Sequence, residues 1–251
     1  MAFANKQKIA WVTGVNQGIG AEIMRQLIAQ DIQVIGFDVS TDQVPSVFKA
    51  QVYECDVRNE QQVSALCTRL LKTAAPDYFV NVAAVLHLDS HENLSLDAWR
   101  QTFEVNVFGA FYFLRQLSPH FKHKRSGSIV VVSSNAAHAP RINMAAYGAS
   151  KAALTSFSKT VGLELAEYGV RVNIISPGST ATPMQYQLWN DATGEQNTIQ
   201  GNPAQYKVGI PLQKIARTQD IANAVMFLLS DQATHITMHD LVIDGGATLG
   251  Q

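Results

Sequence analysis

A doubly wound α/β fold is predicted, one parallel sheet of seven strands with helices on both faces. Three observations lead there: short Val- and Ile-rich runs alternate with helical segments, the runs are apolar almost throughout, and a glycine-rich turn joins the first run to the first helix. Strands read at Ile9–Val12, Gln33–Phe37, Gln51–Cys55, Tyr78–Val82, Ser128–Val132, Val170–Ile175 and Leu241–Ile243. Near-continuous hydrophobicity in a strand means burial on both faces, which covering helices supply. Strands alternating with helices then give a single doubly wound sheet. The 251 residues, 47% of them hydrophobic, suffice for one large core, and no linker or repeat divides them, so residues 1–251 read as a single domain.

The bulk properties exclude several roles. Net charge is −1 and no block of five like charges occurs, which argues against nucleic acid or a membrane surface as partner. No run approaches the roughly 18 apolar residues of a membrane span. Cys55 and Cys67 belong to no CxxC or Cys/His cluster, so neither a disulfide framework nor a zinc site is expected, and a reducing cytoplasmic location fits. His87/His91, His120/His123 and His235/His239 have ligand-like spacing but lack a third ligand, so no metal is expected.

The first strand runs into Thr13-Gly14-Val15-Asn16-Gln17-Gly18-Ile19-Gly20 and then a helix. Glycines there permit a tight turn and let backbone N–H groups approach a pyrophosphate, whose charge the helix N-terminus favours. Asp38, closing the second strand, suits the hydroxyls of an adenosine ribose and repels a 2′-phosphate. No Lys or Arg lies in the loop or among Val39, Ser40 and Thr41 to offset it, so the cofactor is expected to be NAD. Asp56-Val57, after the third strand, either brackets the adenine or forms a turn.

Trp99–Phe121 reads as one helix with Phe103, Val107, Phe111 and Leu114 along one stripe and Val105, Phe108, Tyr112 and Phe113 elsewhere around it. Apolar surface on two sides needs two covers: the sheet, and either a second subunit or more of the same chain. Asn106, a polar residue inside that helix, either satisfies a local backbone group or organises water behind Lys151 as a proton path.

Tyr147 and Lys151 stand four residues apart at the start of a helix, hence on one face. Oxidising an alcohol requires a base for its proton, and a phenol with a pKa of about 10 needs help at neutral pH. A neighbouring ammonium, helped by a positive nicotinamide ring, is expected to provide it. Ser134, at the end of the strand Ile129–Ser133, is placed to hold the substrate oxygen at the ligand-binding edge of the sheet. Pro177-Gly178-Ser179-Thr180 follows the sixth strand and offers contacts to a nicotinamide carboxamide. Residues 179–211, with Met184, Trp189, Gly194, Gly201 and Pro203, form either a substrate lid or a surface excursion. Arg141 matches a carboxylate or else makes a surface ion pair; Met144 and Met184 either wall a ring or pack; His138 is either near the substrate or structural.

With the TGxxxGxG loop, Asp56, Asn106, Ser134, YxxxK and Pro177-Gly178 all present, the chain resembles the short-chain dehydrogenase/reductase superfamily over essentially its whole length. The resemblance implies that Asn106, Ser134, Tyr147 and Lys151 form a catalytic tetrad and that Asn81, Tyr147 and Lys151 border the cofactor. One departure is Asn81-Val82-Ala83-Ala84, where many members carry Asn-Asn-Ala-Gly. Longer stretches resemble a narrower group, the 2,3-dihydro-2,3-dihydroxybenzoate dehydrogenases of catecholate siderophore biosynthesis. These are Asn135–Ile142 running into Met144-Ala145-Ala146-Tyr147, Ser176–Thr180, Gly209–Leu212 with Lys214–Arg217, and Asp244–Gly250. That resemblance implies oxidation of a cyclohexadiene diol carboxylate by NAD, with Ser134, Arg141, Met144 and Met184 against the substrate, and a homotetramer. The competing expectations are a 3-oxoacyl or sugar-alcohol reductase, which would show a basic residue near Asp38 or Asn16, and a catalytically silent dinucleotide-binding protein, which has no need of the full Asn/Ser/Tyr/Lys set.

Overall fold

Seven parallel strands lie side by side in the order β3-β2-β1-β4-β5-β6-β7. They are β1 Ile9–Thr13, β2 Gln33–Asp38, β3 Val52–Glu54, β4 Tyr78–Asn81, β5 Gly127–Val132, β6 Val170–Pro177 and β7 Asp240–Ile243. This computed structural model describes residues 7–189 and 191–250; most of the polar N-terminal segment and residue 190 of the segment 179–211 lie outside the described residues. All seven expected strands form, with shifted ends. β1 and β6 run further, through Thr13 and Pro177, while β3 shrinks because Ser46–Gln51 is a 3₁₀ turn.

The two faces sort by the period of two along each strand. Trp11, Phe37, Phe79, Ile129 and Val131 enter one core, with Phe113, Leu117 and Phe121 from the covering helix; Ala10, Val12, Val80 and Val130 enter the other, with Ile23, Leu27, Ile221 and Val225. On the second face pack α1 (Gly18–Ala29) and α8 (Thr218–Leu229). The first is covered by α2 (Glu60–Leu70), α4 (Gly109–Lys124) and α5 (Ala145–Ala166).

The expected helix Trp99–Phe121 is built differently. It comprises α3 (Leu96–Phe103), a π turn Glu104–Phe108 and α4, without a break. A wide turn shifts the helical phase, so the expected stripe Phe103, Val107, Phe111, Leu114 is not the core stripe. Of that stripe only Leu114 is buried; it is joined in the core by Ala110, Phe113, Leu117 and Phe121, whereas Trp99, Phe108 and Phe111 are exposed. The segment 179–211 includes two short helices, α6 (Pro183–Tyr186) and α7 (Gly194–Gln200), and a 3₁₀ turn at Pro203–Gln205.

Candidate active site

Strand order reverses between β1 and β4, and at that crevice the chain builds a cleft of about 880 Å³. Thr13 ties its two sides together: its hydroxyl accepts from the backbone of Val82 (3.0 Å) and Ala83 (3.2 Å) and lies 3.3 Å from Asn81 Oδ1. The backbones come so close that Gly14, at φ +72°, has no room for a side chain; a Cβ there would sit 2.8 Å from the Ala83 nitrogen. Ala84 occupies its place half-buried and without a positive φ, so the departure from glycine costs the turn nothing.

The loop Gly14–Gly20 leads into α1, whose first turn has neither a side-chain cap nor an acidic residue. Its N–H groups and the positive end of its dipole are left to the cleft, which Gly14, Asn16, Gln17, Gly18, Ile19 and Gly20 line. Asp38 sits across from them and accepts hydrogen bonds from the backbone of Asn16 (2.9 Å) and Ser40 (3.3 Å). Asp56 and Val57 line the same end. Arg58, a cation that inspection of the region around Asp38 misses, is bound to Asp56 at 2.7 Å, and its hydrogen bonds hold the Asp56 carboxyl below the usual range. Nearer the centre, Asn81 is buried and its Nδ2 has no partner among the described residues. An uncapped helix start, a facing carboxylate and an orphaned buried amide suit a dinucleotide.

At the other end α5 begins at Ala145, which puts Tyr147 and Lys151 on its first turns facing the cleft, with Ser134, Pro177, Gly178 and Thr180 around them. Ser134 follows β5 and caps the 3₁₀ turn Asn135–Ala137, its hydroxyl accepting from the Ala136 nitrogen at 3.1 Å. Lys151 is fully buried; its Nζ donates to the Val132 carbonyl at 2.9 Å and lies 5.7 Å from the centre of the Tyr147 ring. Burial pulls its pKa down to about 7. Lys151 by itself does not depress the phenol. Burial raises the Tyr147 pKa, and the opposing hydrogen bond from Ser134 is the smaller influence. A lysine whose burial favours its neutral form is a weaker source of positive potential than an exposed one.

Asn106 lies in the π turn, completely buried, and clamps the backbone of Val85: Oδ1 accepts from the Val85 nitrogen at 2.8 Å and Nδ2 donates to its carbonyl at 3.0 Å. The same Nδ2 reaches the Ser150 hydroxyl at 3.0 Å, which couples it to the turn carrying Tyr147 and Lys151. Of its two expected roles it fills the backbone one, for a residue remote in sequence.

Arg141, Met144 and Met184 all line the cleft. His138 does not; it bonds Asp240 at 2.9 Å, a carboxylate that the Ser176 hydroxyl also contacts at 2.6 Å. Residues 179–211 form one wall of the cleft, contributing Thr182, Leu188, Trp189 and Lys207. Among these Lys207 has no recognisable sequence signal. Asn135 and Asp244 were also missed as partners: Asn135 donates to the Asp244 carboxylate at 3.2 Å, fastening the loop after Ser134 to the C-terminal segment.

A family model described as enoyl-(acyl carrier protein) reductase matches residues 14–248. The chain is 48% identical over 251 residues, all of both proteins, to the 2,3-dihydro-2,3-dihydroxybenzoate dehydrogenase of Escherichia coli (strain K12). The chain belongs to the short-chain dehydrogenase/reductase family. Within that family it is also 40% identical to the vibriobactin-specific 2,3-dihydro-2,3-dihydroxybenzoate dehydrogenase of Vibrio cholerae, covering 95% of each chain. A solved short-chain dehydrogenase/reductase fold, 4-hydroxyisoleucine dehydrogenase complexed with NADH, superposes with a TM-score of 0.89 at 27% identity, covering 98% of this chain and 100% of that one. No helix among the described residues is long and apolar enough to cross a membrane.

Proposed function

We propose that this oxidoreductase uses NAD to oxidise 2,3-dihydro-2,3-dihydroxybenzoate to 2,3-dihydroxybenzoate in the biosynthesis of a catecholate siderophore. The observation that carries this reading is the 48% identity over the whole chain to an enzyme of that name. The cleft is compatible: Ser134, Tyr147 and Arg141 all line it, and the planar fork of Arg141 matches a carboxylate.

The glycine loop and the start of α1 would hold the cofactor's pyrophosphate, Asp38 its adenosine ribose, Asp56 and Val57 its adenine, and Asn81, Pro177, Gly178 and Thr180 its nicotinamide half. When bound, NAD supplies the acceptor for the hydride that leaves the carbinol carbon. Tyr147 takes the hydroxyl proton, so that one C–H and one O–H bond break and a ketone forms, which tautomerises to the catechol. Ser134 holds the reacting oxygen against the phenol. The phenol needs positive charge nearby to ionise, since burial alone raises its pKa. Lys151 supplies part of it, and the cation of oxidised nicotinamide the rest. Asn106 positions the start of α5 through Ser150. Met144 and Met184 pack against the ring, and the wall 179–211 acts as its lid. A cytoplasmic homotetramer completes the reading, assembled over the exposed Trp99, Phe108 and Phe111.

Mixing purified protein with NAD and 2,3-dihydro-2,3-dihydroxybenzoate should produce NADH and the catechol in equal amounts. Absence of NADH, together with turnover of a cyclic alcohol that lacks the carboxylate, would overturn the substrate assignment.

A further inference from the structure

We propose that Lys207, in the wall 179–211, is a specificity residue that seats the substrate carboxylate jointly with Arg141 across the cleft. The proposal rests on the functional reading above and extends it to a residue on a separate stretch of chain.

Both side chains line the cleft, and both are half-buried. Arg141 belongs to the loop between Ser134 and Tyr147, and Lys207 lines the same cleft from the segment 179–211. The two cations are close enough that Arg141 adds to burial in holding the Lys207 pKa below the usual lysine value. Neither makes an ion pair with a carboxylate among the described residues. Asp191, an acid of the same wall, is engaged by Thr193, whose hydroxyl and backbone nitrogen reach it at 2.6 and 2.8 Å. Two half-buried cations in one cleft, neither in an ion pair among the described residues, repel one another, and an anion between them would relieve both the repulsion and the lost hydration.

Lys207 is also held in place by its backbone. Its N–H donates to the Asn202 carbonyl at 3.0 Å and its carbonyl accepts from the Asn202 nitrogen at 2.9 Å. The turn is closed by two glycines in tight contact: a Cβ on Gly201 would meet the Gly209 nitrogen and the Lys207 carbonyl, each at 2.4 Å. The Ile210 nitrogen then bonds the Ile199 carbonyl at 2.8 Å. A side chain on a braced turn loses less freedom on binding an anion than one on a loose loop.

Salicylate, an aromatic carboxylate of the right size, tests the pair by titration into the protein with and without NADH, against neutral salicylamide as control. Lys207→Gln should weaken salicylate about tenfold or more while leaving salicylamide binding within twofold, and Lys207→Arg should restore salicylate binding. In turnover, Lys207→Gln should raise KM for the dihydrodiol carboxylate far more than it lowers kcat. Salicylate binding within twofold of the parent in Lys207→Gln, or no salicylate binding by the parent at all, would overturn the proposal. Failure of the parent to reduce NAD with the dihydrodiol carboxylate would instead overturn the functional reading, and the titration would still decide Lys207.

Discussion

Tyr147 illustrates how much a side chain's chemistry depends on what surrounds it. Its spacing from Lys151 was legible from residue order alone, because helical geometry puts positions four apart on one face. Its proton affinity was not, since burial raises the phenol and lowers the lysine to about 7. Tyr147→Phe should cut turnover by about two to four orders of magnitude while NAD binding, followed by titration, persists; substantial turnover would remove the phenol from the chemistry. Asp38→Asn should raise kcat/KM with NADP relative to NAD about tenfold or more, because in the proposed binding mode it removes a charge that would face the 2′ position; an unchanged ratio would mean that another group sets the preference. Lys151 also makes stability depend on pH. Between its folded value of about 7 and its ordinary 10.5, the unfolded chain holds a proton that the folded chain lacks, so stability rises with pH across that window. Below pH 7 the lysine is charged in both states and the cost of burying the ammonium is borne in full. Lys207, lowered by burial and Arg141, acts in the same direction. Cys55 and Cys67, pushed up by burial from 9.0 to about 12, act oppositely above pH 9. Thermal melting of the cofactor-free protein should therefore climb between about pH 7 and 9, and Lys151→Met should melt higher at pH 7 and climb less. An equal climb in both proteins would contradict the assignment.

At the scale of elements, the glycine loop and α1 are the part most completely written in local sequence. A strand, a turn that tolerates positive φ and an uncapped helix start are each local features, and together they place a phosphate site without reference to the rest of the chain. The π turn Glu104–Phe108 is the opposite case, because a single wide turn shifts the phase of every later residue and leaves no mark on composition. That shift explains why Phe111 is exposed and Phe113 buried. It also brings the Asn106 amide against both backbone groups of Val85, which lines the cleft. Asn106→Ala leaves those groups without their partner and should destabilise the fold by about 2–4 kcal/mol in chemical denaturation. A loss below about 0.5 kcal/mol would mean that water replaces the amide at no cost. The wall 179–211 is intermediate: its position after the sixth strand was readable, whereas its short helices are fixed by side-chain caps such as Thr182 on Gln185 and by the contact of Gly201 with Gly209.

Across the whole molecule, parallel strands all end on the same side, and of the candidate catalytic residues Ser134, Tyr147 and Lys151 line the cleft while Asn106 is buried behind it. Apolar surface left over after the core is filled must then meet solvent or a partner. Trp99, Phe108 and Phe111 are such a remainder on the side of the helix away from the sheet. If the proposed tetramer forms there, Phe111→Asp should yield smaller species by sedimentation with near-parent secondary structure; an unchanged sedimentation coefficient would place the interface elsewhere. By itself the sequence determined the seven strands, the phosphate turn, the acid at Asp38 and the pairing of Tyr147 with Lys151, because each depends on residues within a few positions of one another. Only the tertiary structure decided that Arg58 is neutralised by Asp56, that Asn106 grips Val85 and that Lys207 shares a cleft with Arg141. Those are contacts whose consequences depend on three-dimensional placement, and burial, which sets the worth of a charge, is a property of the folded chain and not of any stretch of it.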